Sequence, residues 1–112
     1  MVNILDKVQP KTKEQLKQLI NYAFKHDIYD LNFIDTSKIT DMSNLFINCE
    51  YDIDVSNWDV SNVIDMKFTF NYCLNFKGKG LEQWNVSNVE DFREIFYKCS
   101  KVTIPNWYWY KK

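Results

Sequence analysis

The chain has 112 residues, 46% of them apolar and 17% aromatic, with a formal net charge of −1. That is enough for one folded domain, and too apolar for a disordered chain. Only 2 Gly and 2 Pro are present, which excludes collagen-like and linker-like chains and a glycine-rich nucleotide loop.

The start, Met1-Val2-Asn3-Ile4-Leu5-Asp6-Lys7, carries no basic stretch followed by an apolar one, so a cytoplasmic location is expected. No apolar run reaches membrane-spanning length. Next, Thr12-x-x-Gln15 reads as a capping box just after Pro10. Leu16, Leu19, Ile20, Ala23 and Phe24 then recur at helical spacing, with Lys13, Glu14, Lys17, Gln18, Asn21 and Lys25 opposite. This predicts an amphipathic helix of about four turns that lids the open end of a repeat stack. His26, the single histidine, falls at the helix C-terminus, where a structural role suffices.

Three copies of one unit come after it. The first runs from Leu31-Asn32-Phe33-Ile34-Asp35 to Asp41-Met42, Phe46 and Cys49; the second from Val55-Ser56-Asn57-Trp58-Asp59 to Asp65-Met66, Phe70 and Cys73; the third from Leu81-Glu82-Gln83-Trp84-Asn85 to Asp91-Phe92, Phe96 and Cys99. From cysteine to cysteine the periods are 24 and 26 residues, and the extra two fall around Lys77-Gly78-Lys79-Gly80, where a bulge or longer turn is expected. Each unit reads as a short strand, a turn, then a short helix N-capped by Asp41, Asp65 or Asp91, with Met42/Phe46/Cys49 and their counterparts on one helical face. Such a unit cannot bury its apolar side alone and stacks on its neighbours. A fourth copy begins at Ile104-Pro105-Asn106-Trp107. The closing Trp107-Tyr108-Trp109-Tyr110 reads as a strand, with Trp107 turned in and Tyr108 and Tyr110 turned out. The division is a single domain over 1–112, with a capping helix over 1–27, three repeats over 28–103 and an aromatic cap over 104–112.

The segment Asp59-Val60-Ser61-Asn62-Val63-x-Asp65-Met66-x-x-x-Phe70-x-x-Cys73 resembles the repeat of the BspA-like leucine-rich-repeat family of bacterial proteins, in the form W-D-x-S-N-V-x-D-M-x-x-M-F-x-x-C. Related repeats occur in mycoplasma surface lipoproteins. The resemblance covers residues 11–107. It implies an α/β fold: a short right-handed leucine-rich-repeat solenoid with a narrow parallel sheet and short helices. It also implies a binding role, and it brings no catalytic residues.

Catalytic and metal-binding patterns are lacking. Cys49, Cys73 and Cys99 hold one slot in successive units, which reads as a buried, reduced ladder without metal-ligand spacing. No nucleophile stands in triad spacing with His26, and the recurrent aspartates suit capping, so no enzyme, metal or cofactor is expected. Thirteen Lys against one Arg argues against direct nucleic-acid reading.

Charge is unevenly spread. Residues 1–26 carry five lysines against two acids, 27–66 nine acids against one lysine, and 67–112 eight bases against four acids. Two roles are open for the acidic middle: a solvated face of turn caps, or a surface that steers a basic partner. Candidate partner-binding residues are Asn32, Asp52, Asp54, Ser56, Glu82 and Gln83 beside the strands, and Tyr108 and Tyr110 as aromatic anchors. The functional expectation is a non-enzymatic protein-binding module, its partner a protein with a basic surface. The alternatives are a small acidic inhibitor of a nuclease or other nucleic-acid enzyme, of phage or mobile-element anti-defence type, and a cell-surface adhesion protein. No membrane contact is expected. A homodimer through an uncovered end or edge is a further expectation.

Overall fold

In a computed structural model the described residues are 7–111; the stretch 1–6, on which the leaderless expectation rests, lies outside them. The amphipathic segment forms helix α1, Lys13–Lys25. Thr12 Oγ1 accepts from the Gln15 amide at 3.1 Å, while Gln15 Oε1 accepts from the Lys11 amide at 2.7 Å. The predicted box therefore closes, with its return bond shifted to Lys11. The helix ends at His26 in a Schellman turn: the Ile28 amide donates to Ala23 and the Asp27 amide to Phe24. Asp27 takes the left-handed position (φ 56) that glycine usually fills. Leu16, Ile20 and Ala23, spaced four and three, are buried against the first repeat unit.

The three units stack in register, but not as the resemblance implies. No sheet and no α-helix occurs within them, only one short 3₁₀ turn at Leu81–Gln83; parallel contact is limited to isolated bridges such as Asp30 with Asp54, Asp41 with Asp65 and Asp65 with Asp91. The α/β leucine-rich-repeat solenoid is overturned, along with its narrow parallel sheet and per-unit helices. The segments 42–49, 66–73 and 92–99 are instead ribbons of overlapping turns. In the first, Leu45 donates to Met42, Ile47 to Asn44 and Cys49 to Phe46. The cause is backbone sign. Asn44, Asn48, Phe68, Tyr72, Glu94 and Lys98 all hold positive φ of 50 to 62°, which interrupts an α-helix and a strand alike. Asp41, Asp65 and Asp91 thus cap turns rather than helices, each accepting the amide two residues on, at Ser43, Lys67 and Arg93, at 2.8 to 3.0 Å.

The repeated slots of the three units stack in columns. Phe70 lies parallel to Phe46 at 5.7 Å and to Phe96 at 5.9 Å. Trp58, Trp84 and Trp107 each donate Nε1–H to a carbonyl of the preceding unit: Leu31, Val55 and Leu81, at 2.7 to 3.2 Å. These bonds let bulky indoles sit in the core with their polar edge satisfied. Around the two-residue insertion, Gly78 and Gly80 take φ of 77 and 76°, and a Cβ on Gly80 would stand 2.4 Å from that of Ser56. The insertion passes there because only glycine fits.

The C-terminal strand is also corrected. Pro105 precedes a six-residue helix α2, Asn106–Lys111.

Candidate binding surface

The structure gathers part of the predicted site, and it does so in the scaffold. Asp54 Oδ1 accepts from the Ser56 hydroxyl at 2.6 Å and amide at 3.0 Å, and from Asn32 Nδ2 at 3.0 Å. Its other oxygen faces Lys79 Nζ at 3.5 Å. Asn32 in turn accepts from the Asn57 amide at 2.8 Å. Asn32, Asp54 and Ser56 therefore form one knot joining the first unit to the second. Burial works against the Asp54 charge, but the bonds from Ser56, the Asn32 amide and the Lys79 charge hold its pKa down to about 2.

Asp52 and Glu82 are exposed, and each caps a loop: Asp52 accepts from the Lys77 amide at 3.0 Å and Glu82 from the Asn106 amide at 2.7 Å. Gln83 is exposed on the 3₁₀ turn Leu81–Gln83. The acidic trio is thus spread over three separate loop contacts. Elsewhere in the acidic middle the pattern repeats. Asp35 and Asp59 each accept an amide two residues on, at Ser37 and Ser61. Bonds from Ser37 hold Asp35 below the ordinary carboxylate range.

Helix rather than strand geometry re-sorts the C-terminal aromatics. Trp107 packs on Phe92 and Phe96 at 5.4 and 6.1 Å, and Tyr108 lies half-buried, edge-on to Phe96 at 5.6 Å. Tyr110 is 87% exposed, and Trp109, which alternation turns inward, is 59% exposed. On the turn ribbons, exposed Tyr72 and Tyr97 meet edge-to-face at 5.6 Å, with Lys98 Nζ 5.6 Å from the Tyr97 ring. Trp109, Tyr72 and Tyr97 are not apparent as site residues in the sequence. Pro105 before Asn106 is the signal for the helical phase that exposes Trp109. For the two tyrosines, the repeat slot is visible but its outward direction depends on the turn ribbon.

The cysteine slot is apolar. Cys73 and Cys99 are buried, and their thiols donate to the carbonyls of Phe46 and Phe70 at 3.0 and 2.7 Å. The adjoining Cys99 and burial push the Cys73 pKa up, which keeps it a thiol. Among the described residues, no group of three or more His, Cys, Asp or Glu is placed to hold a metal ion. No helix among them is long and apolar enough to cross a membrane. An open groove of about 700 Å³ crosses the three units, lined by Ser37, Lys38 and Thr40 in the first, Asn62 and Ile64 in the second and residues 87–90 in the third, and holds none of the predicted site residues.

No curated protein and no solved structure matches this chain. A family model does match, over residues 14–112, under the description "Mycoplasma protein of unknown function, DUF285". That match is compatible with the BspA-like resemblance, while a leucine-rich unit is not seen. The repeat chain built on columns of Phe, Trp and Cys belongs to this family.

Proposed function

We propose that this chain is a non-enzymatic repeat module that binds a partner protein by surface complementarity, with its C-terminal aromatic end as the anchor. One observation carries the reading: Trp109 and Tyr110 are exposed side by side on α2, at 59% and 87%. Trp58 and Trp84 are buried and Trp107 is half-buried, whereas Trp109 is exposed. Trp and Tyr dominate binding hot spots because they add large contact area with few rotors to freeze. Tyr72 and Tyr97 form a second exposed aromatic pair, edge-to-face at 5.6 Å.

The nuclease-inhibitor alternative draws less support. A phosphate mimic needs carboxylates aimed at solvent, and the acidic middle directs one after another at backbone amides.

The test is affinity capture from native lysate with mass spectrometry, comparing the natural chain with Trp109→Ala plus Tyr110→Ala. The expected outcome is one partner protein lost from the variant, with capture by the natural chain little changed by salt. Capture unchanged in the aromatic variant but abolished by Asp52→Lys plus Asp54→Lys would overturn the reading in favour of the acidic inhibitor.

A further inference from the structure

In the cysteine column, the thiols of Cys73 and Cys99 point back along the stack. The Phe46 carbonyl accepts from the Cys49 amide at 2.9 Å and from the Cys73 thiol at 3.0 Å. The Phe70 carbonyl accepts from the Cys73 amide at 3.0 Å and from the Cys99 thiol at 2.7 Å. One oxygen thus joins each of these thiols to the backbone of the cysteine before it. Beside them, the ladder bonds the Asn48 amide to Asn71 at 2.9 Å and the Tyr72 amide to Tyr97 at 2.8 Å. Backbones paired in this way stand about 4.8 Å apart, within the Cα separation of about 4.4 to 6.8 Å that a disulfide needs. Cys49 and Cys99 lie two steps apart, about 10 Å, which is too far to bridge. Any disulfide within the column must therefore include Cys73.

Access differs along the column. Cys73 and Cys99 are buried, and a carbonyl of the preceding unit holds each thiol. Cys49 is half-buried, and its sulfur meets the Tyr51 carbonyl only loosely, at 3.9 Å. It lines an opening of about 330 Å³ between α1 and the first unit, together with Ile20, Phe24 and Tyr51. A small uncharged oxidant can reach the Cys49 sulfur there, while the two sulfurs behind it are shielded. Burial holds the Cys49 thiol above its ordinary pKa, which makes its reaction slow at neutral pH.

We infer that Cys49 and Cys73 form a redox site that takes a hydroperoxide at Cys49 and closes a disulfide between the first and second units. This goes beyond the protein-binding reading and does not depend on it. The Cys49 thiolate attacks one peroxide oxygen, the O–O bond breaks, and the leaving hydroxide takes up a proton as water. Cys49 is then a sulfenic acid. The Cys73 thiolate attacks that sulfur, an S–S bond forms, the S–O bond breaks, and a second water leaves. Two thiols and one hydrogen peroxide thus give one disulfide and two waters. The bond ties the unit under the α1 lid to the unit behind it, and Cys99 stays a thiol.

The experiment exposes the reduced, folded full chain to hydrogen peroxide, then denatures and alkylates it for intact-mass and peptide-mapping mass spectrometry. Before oxidation, Cys49, Cys73 and Cys99 are all alkylated. Afterwards, Cys99 alone takes the label, and the map shows Cys49 joined to Cys73 within one chain. Cys99→Ala forms the same bond at the natural rate. Cys49→Ala, a change at a half-buried position, slows loss of the Cys73 and Cys99 thiols by at least about tenfold, because their sulfurs are shielded. Three thiols still alkylated after peroxide, or Cys49 oxidised further with no disulfide, overturn the inference. So does a Cys73–Cys99 bond, a bond between two chains, or thiol loss at the natural rate in Cys49→Ala. Amide exchange at Leu16 and Phe70, unchanged between the natural chain and the two variants, shows that each was folded when tested.

Discussion

The first unit and the third have the same slots, yet their outer faces are closed differently. Over the first lies α1, thirteen residues with Leu16, Ile20 and Ala23 buried and Lys13 bridging to Asp41 at 3.4 Å and Ser43 at 2.8 Å. Over the third lies α2, six residues that cover the Phe92 and Phe96 rings, with Trp109 and Tyr110 exposed. One end is a fitted lid. The other is a partial cap. A repeat stack must satisfy both the apolar face and the backbone of each end unit; α1 is long enough to do the first thoroughly, and α2 does the first only in part.

The largest test of this contrast is at the lid. Leu16→Ala removes a fully buried side chain and should cost about 2–5 kcal/mol. Trp109→Ala should stay within about 0.5 kcal/mol, because its side chain is largely exposed. Urea denaturation of the two variants checks the pair. Equal losses would mean that the two ends are closed alike.

How much of this is legible in the sequence depends on which residue types speak for themselves. The lid is legible because Thr12, Gln15 and the Leu16/Ile20/Ala23 spacing specify start, cap and face together. The columns are legible because Phe46, Phe70 and Phe96 hold one slot and like residues stack. The turn ribbon is not. Met42, Phe46 and Cys49 are spaced four and three, which suits a helix face and a run of overlapping turns equally. Asn44 and Asn48 tolerate left-handed backbone, but Phe68, Tyr72, Glu94 and Lys98 give no such sign. Their conformation is imposed by the ladder to the neighbouring unit, a tertiary cause that local pattern does not carry. The candidate site suffers likewise. Asp52, Asp54 and Glu82 look like a patch on paper, whereas each is bonded to a residue distant in sequence, at Lys77, Asn32 and Asn106, that approaches only on folding.

A middle-sized test lies between the ends, at the insertion that separates the second unit from the third. Gly80→Ala puts a Cβ 2.4 Å from that of Ser56, at a φ of 76° that alanine disfavours, and should cost about 1–3 kcal/mol. Its effect should spread towards the third unit, seen as faster amide exchange at Trp84 and Val89 than at Leu16. Exchange raised only around α1 would contradict the idea that this turn holds the last unit in register.

Acid gives the smallest and most selective test. Three of the four aspartates held below their ordinary value, Asp35, Asp41 and Asp54, lie in the first two units, and Asp91 alone lies in the third. Asp54 is the clearest case. Its folded value of about 2 lies below the ordinary 3.8, so its contribution is complete above 3.8 and is lost as pH falls through about 2. Protonation there weakens the acceptor shared by the Ser56 amide and Asn32 and removes the charge facing Lys79. Acidification should therefore loosen the Asn32–Asp54–Ser56 knot before the third unit. Exchange should rise first at the Leu31 and Ser56 amides, which bond the Asp54 carbonyl and carboxylate, and later at Val89. In Asp54→Asn, which does not titrate, that early step should flatten. Simultaneous loss at Leu31 and Val89, unchanged by Asp54→Asn, would show that the acid-sensitive bonds are not concentrated near the lidded end.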